Sequence, residues 1–176
     1  KATAAKDYGQ LLAAEIRQAI LWREISPDSL TPNVKRMETE ALKAKDPVLK
    51  AVRYAVLGKV YRDMNEKKSE EFFKKALEQP ELLARNASAG YVPLTLKGVD
   101  GSSFNNDLLH LIGFEADSKE AYHLMYTYYN KVGNRGAACL CAYKLIEKYR
   151  QDDVREVRKS KYLNTIDSLI HVYQDI

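Results

Sequence analysis

Ala121-Tyr122-His123-Leu124-Met125-Tyr126-Thr127-Tyr128-Tyr129 carries apolar or aromatic side chains at every position except His123 and Thr127. A surface helix with a single buried stripe is apolar over only part of its circumference, so this segment needs neighbours on two sides. Leu108, Leu109, Leu111, Ile112 and Phe114 make the same demand one helix earlier. Such demands are met when helical hairpins stack, each covered by the one before it and the one after. A compact bundle is the competing geometry.

Working outward, the punctuation is that of an all-α chain. Gly and Pro number 8 and 5 in 176 residues, and no clear period-two strand pattern occurs. A first helix is expected over 4–24, with Tyr8, Leu12, Ile16, Ala19 and Ile20 on one face, stopped by Ser26-Pro27 because a residue before proline avoids the helical region. A short second helix is expected from Pro32 or Asn33 to Ala44. Asp46-Pro47 supplies a side-chain acceptor and a preset φ, so a third helix starts there and runs to about Met64. A fourth is read over Ser69 to Glu78, with a short turn of helix from Pro80.

The stretch 89–104, with Pro93, Gly98 and Asp100-Gly101, reads as a long internal loop. Asp107 to Glu115 follows, capped from Asn105 or Asn106. Asp117-Ser118-Lys119-Glu120 caps a helix reaching Val132, where Gly133 takes the left-handed position that glycine adopts cheaply. Asn134 opens a helix to Tyr149. The last carries Tyr162, Ile166, Leu169, Ile170 and Tyr173 on one face. The expectation is one domain over 1–176, all-α, with seven to nine helices.

Tyr54, Leu57, Gly58 and Tyr61 followed by Phe72, Phe73 and Ala76, and Tyr122, Met125 and Tyr129 followed by Gly133 and Ala138, resemble the large-small-aromatic spacing of tetratricopeptide repeats. Tyr126 stands where that repeat wants a small residue, and the first stretch is a residue or two short. The implied architecture is an irregular, tetratricopeptide-like right-handed solenoid of antiparallel hairpins.

Composition excludes several function classes. With 45% hydrophobic and 30% charged residues the chain is neither disordered in type nor a membrane span. Lys and Arg number 28 against 24 Asp and Glu, a formal charge of +4, short of the clustered excess of a nucleic-acid binder. The densest basic stretch, Lys144 to Lys161, is interrupted by Glu147, Asp152, Asp153 and Glu156 and reads as a solvated helix face. The chain starts at Lys1 without Met, which predicts a segment of something longer.

Candidate chemistry is sparse. Asp107 with His110, and Glu120 with His123, are two carboxylate-x-x-His pairs whose i,i+3 spacing puts both groups on one helix face, as in a metal-binding helical bundle. The plainer reading makes Asp107 and Glu120 first-turn acids and the histidines amphipathic filler. Cys139 and Cys141, two apart on a helix, cannot readily bridge each other, and without a neighbouring His or cation they read as small core hydrophobes. Asn86-Ala87-Ser88 has the N-glycosylation pattern. No Gly-rich phosphate loop, nucleophile elbow or zinc-ligand cluster occurs, so no enzyme activity, cofactor or catalytic residue is expected. The twelve tyrosines suit a seam between helices or a peptide-binding groove, and for Tyr122 and Tyr129 the seam is favoured.

Ala5-Lys6-Asp7-Tyr8-Gly9-Gln10-Leu11-Leu12, Ala44-Lys45-Asp46-Pro47-Val48-Leu49-Lys50-Ala51, and Gly90-Tyr91-Val92-Pro93-Leu94 leading through Lys97-Gly98 into Phe104-Asn105-Asn106-Asp107-Leu108-Leu109 together resemble the helical N-terminal region of large Bacteroides-type alpha-2-macroglobulin-like proteins. The resemblance implies a periplasmic, envelope or secreted protease trap with β-sandwich domains, a bait segment and, in some members, a Cys-x-Glu-Gln thioester. Cys139 is followed by Leu140-Cys141-Ala142, so no thioester residue carries over. What carries over is a context: a non-enzymatic scaffold or protein-interaction module whose partners are adjacent domains or another protein. A tetratricopeptide-like peptide-binding adaptor and the metal-binding bundle are the alternatives.

Overall fold

The computed structural model describes residues 7–25, 27–86, 107–151 and 156–174. Within these ranges the side chains of Pro27, Ser29 and 150–162 are outside the description. The expected loop over 89–104 lies outside the described residues. Among the described residues the fold is all-α, with nine helices and no β-strand element: α1 Tyr8–Ile25, α2 Pro27–Lys43, α3 Pro47–Tyr61, α4 Glu66–Ala76, α5 Pro80–Ala84, α6 Leu108–Ala116, α7 Lys119–Lys131, α8 Arg135–Gln151 and α9 Glu156–Tyr173. The backbone forms two compact units, Lys1–Ala116 and Asp117–Ile176, and each is treated by itself.

In the first unit, Asp46 caps α3 as its sequence requires: its side chain accepts the Val48 and Leu49 N–H groups at 2.9 and 3.3 Å, with Pro47 in the first turn. The same carboxylate accepts the Tyr8 hydroxyl and so ties the start of α1 to the start of α3. Burial first, then that hydrogen bond to a carboxylate, pushes the Tyr8 hydroxyl up to about 12.

Two starts differ from expectation. Helix α2 begins at Pro27 and runs through Pro32; Pro27 presets φ for the first position, and Pro32 is close enough to the start that a single i→i−4 bond is forgone. Helix α4 begins at Glu66 because Asn65 caps it, accepting the Lys68 N–H at 3.0 Å. Ser69, expected to open that helix, is instead buried within it and donates its hydroxyl to the Gly58 carbonyl at 2.7 Å.

That bond accompanies a close contact between α3 and α4. A Cβ at Gly58 would lie 2.7 Å from the Phe73 ring. Gly58→Ala is therefore expected to destabilise the chain by about 1–3 kcal/mol through overpacking. Combining it with Phe73→Leu should recover part of the loss, read from urea midpoints at constant slope. Around this contact, Val34, Ala41, Leu57 and Tyr61 form a core cluster from α2 and α3, joined by Tyr54, Met37 and Phe72. Tyr61 and Phe72 stack at 5.5 Å. Every residue of α6 is buried, Glu115 and His110 included.

In the second unit, α7 packs on α8 and α8 on α9. Ser118 caps α7, accepting the Ala121 N–H at 3.1 Å. Gly133 adopts φ +76° at the turn, and Asn134 caps α8 through the Ala137 N–H at 3.1 Å. These are the residues the sequence nominates. Helix α7 buries Ala121, Tyr122, Met125 and Tyr129 and half-buries Leu124, Tyr126 and Tyr128, so its apolar circumference is largely covered. Tyr122 and Tyr129 are 2% and 1% exposed, which places them in a seam and not on an open surface.

Candidate functional site

The sequence-nominated residues separate into structural and solvated roles. Asp107 Oδ1 accepts the backbone N–H of His110 at 2.8 Å, closing the first turn of α6. His110 is 1% exposed, stacks on Phe114 at 4.3 Å between ring centroids, and has no hydrogen-bond partner on either ring nitrogen. Burial lowers its imidazole to about 4. Glu120 and His123 are exposed on α7. Among the described residues no group of three or more His, Cys, Asp or Glu side chains is placed to hold a metal ion.

Cys141 is buried and Cys139 half-buried, and neither is in a disulfide. Burial raises the Cys139 thiol, which disfavours the thiolate that nucleophilic or redox chemistry uses. Of the basic stretch, Lys144 pairs with Glu147 and Lys148 with Asp117, both at 2.8 Å; the side chains of Arg150, Arg155, Arg158, Lys159 and Lys161 are outside the described residues. Asn86 donates its side-chain amide to the Leu82 carbonyl at 2.8 Å, while Ala87 and Ser88 lie outside them.

Tyr143 and Tyr149 are 54% and 55% exposed. Six residues apart on α8, they point about 120° away from each other at 3.6 residues per turn. Tyr143 also donates its hydroxyl to Glu147 at 2.9 Å. They do not share a face on which a peptide would be gripped.

A partly covered apolar face lies on α9. Leu163, Ile166, Leu169, Ile170 and Tyr173 span an apolar arc of about 120° by helical geometry. Tyr173 is buried and donates its hydroxyl to Asn130 on α7 at 3.2 Å, and the Arg135 guanidinium donates to the Val172 carbonyl at 2.7 Å. Ile166 and Leu169 are half-buried. Leu163 and Ile170 are 49% and 60% exposed, so the arc extends past what α8 covers. Ile170 shares the expected face with Ile166, Leu169 and Tyr173, but the covered part of that face is centred on Tyr173.

A second cluster had only a faint sequence signal. Lys59 on α3 approaches buried Glu115 on α6 at 2.8 Å, and Arg62 donates to the carbonyls of Glu115 and Ala116, the latter at 2.9 Å. The partners are more than fifty positions apart, and the one hint was an acid inside an otherwise apolar run.

In comparisons with known proteins, no family model, curated protein or solved structure matches the chain. Among the described residues, no helix is long and apolar enough to cross a membrane.

Proposed function

We propose that this chain is a non-enzymatic helical scaffold, a tetratricopeptide-like stack that packs against adjoining segments of a longer, envelope-associated alpha-2-macroglobulin-like protein. The observation that carries the reading is the apolar arc of α9, with Leu163 and Ile170 about half or more exposed. A stacked repeat buries such an arc under its next neighbour. The string resemblances at 5–12, 44–51 and 90–109 supply the context, and a half-buried Cys139 whose thiol is raised by burial, beside a buried Cys141, agrees with a scaffold role.

The test compares this chain alone with the longer protein that contains it. Amide exchange along α9 is expected to slow when the flanking segments are present, and the isolated chain is expected neither to inhibit proteases nor to react with methylamine. Stoichiometric inhibition by the isolated chain, or α9 amides equally exposed in both forms, would overturn the proposal.

A further inference from the structure

The first unit holds a cleft of about 200 Å³ between α1, α2 and the end of α3. Its floor is apolar, made by Ile16, Ala19, Leu30 and Val60, and its remaining wall carries Arg23, Lys59, Arg62 and Asp63. For scale, an apolar protein cavity of about 150 Å³ takes up benzene. The space therefore suits one small ring or a short aliphatic chain.

The charges decide what such a body must carry. Arg23 is matched by Asp63, an ion pair in which both side chains are largely exposed. Lys59 is matched by Glu115, which lies behind it with its side chain 2% exposed. The third cation has no such match: Arg62 donates to the two α6 carbonyls and lies 5.4 Å from the Phe73 ring centroid. Among the described residues no carboxylate pairs with it. Carbonyl dipoles and a ring face attract a guanidinium, yet they do not neutralise it. The wall thus presents one net positive charge. The Lys59 ammonium has three donors, and its contact with Glu115 is an ion pair without a hydrogen bond.

We infer that this cleft binds a small apolar carboxylate, its hydrocarbon body on the Ile16–Leu30–Val60 floor and its carboxylate between the Arg62 and Lys59 cations. Each part of the ligand answers an observed feature: the volume sets its size, the floor its apolar body, and the unmatched guanidinium its charge. A cation of the same shape would face three like charges. A neutral analogue would keep the apolar contact and lose the charge-assisted hydrogen bonds, which are about twice as strong as neutral ones.

The test is a titration of the isotope-labelled full chain with hexanoate, 1-hexanol and hexylamine, followed by backbone amide shifts. Hexanoate is expected to bind about tenfold more tightly than hexanol, the ratio that about 1.4 kcal/mol of charge-assisted bonding gives. Hexylamine should produce no saturable shift. The hexanoate shifts should map to α1, the start of α2 and residues 59–63. Ile20→Trp, which fills the cleft from a half-buried position, should abolish the hexanoate shifts with helicity unchanged. If that variant does not fold, the ranking of the three probes on the native chain decides alone. Equal binding of hexylamine and hexanoate, shifts scattered outside the cleft, or no saturation by hexanoate would each overturn the inference.

Discussion

Lys59→Met is expected to lower the unfolding free energy by about 3 kcal/mol or more, while Lys59→Met combined with Glu115→Leu is expected to restore stability to near the native value or above it. The reason is the asymmetry of burial. The Glu115 side chain is 2% exposed and the Lys59 side chain 29% exposed, so losing the ammonium strands a carboxylate in an apolar helix with nothing to compensate it. Breaking such a pair typically costs about 3–5 kcal/mol, and the partial exposure of Lys59 puts this one at the lower end. Removing both members also removes the desolvation penalty. Here the pair is under-satisfied even when intact, because both Glu115 carboxylate oxygens are buried without a hydrogen bond, Oε2 meeting the Lys59 ammonium only as an ion pair. An apolar replacement for both therefore has more to gain than to lose. Urea unfolding of the two single variants and the double variant supplies the full cycle. A Lys59→Met cost below about 1 kcal/mol would mean that the pair behaves as a surface ion pair.

The same cluster shows where sequence reading stops. Asp46-Pro47, Ser118 and Gly133 were legible because a cap or a left-handed turn is decided by residues within three or four positions, and their chemistry admits few alternatives. The density of apolar residues over 108–114 and 121–129 was legible for a related reason: a helix apolar on several sides has to be covered. What covers it is a tertiary fact. Neither the Lys59–Glu115 pair nor the Arg62 contact with the end of α6 follows any short-range rule. The α4 start was missed because Glu66-Lys67-Lys68 shows no apolar period, which hid the Asn65 cap in front of it. The exposure of Ile170 was not legible because an apolar arc on α9 says nothing about how much of it a neighbour reaches. The candidate metal ligands illustrate the same limit: i,i+3 spacing put Asp107 beside His110, and the Asp107 side chain accepts the backbone N–H of that residue.

His110 makes the chain acid-sensitive in a definite window. Its ring is buried against Phe114 with both nitrogens unpaired, and burial lowers it from the ordinary 6.5 to about 4. Between these values the unfolded chain takes up a proton that the folded chain refuses, and stability falls wherever the unfolded state holds more protons. The contribution is thus intact above about pH 6.5, declines as the pH drops, and has fallen by about 3 kcal/mol once the pH reaches about 4. His110→Leu removes the titrating group and the two unpaired nitrogens together. The variant is expected to match or exceed the native chain at pH 7, since a buried unsatisfied polar group costs about 1–3 kcal/mol and the lost ring stacking offsets part of that gain. The larger difference comes in acid. Going from pH 7 to pH 4.5, the native chain should lose about 2 kcal/mol more than the variant in urea unfolding at each pH. Equal slopes for native and His110→Leu chains would mean that the imidazole finds a partner or water in solution.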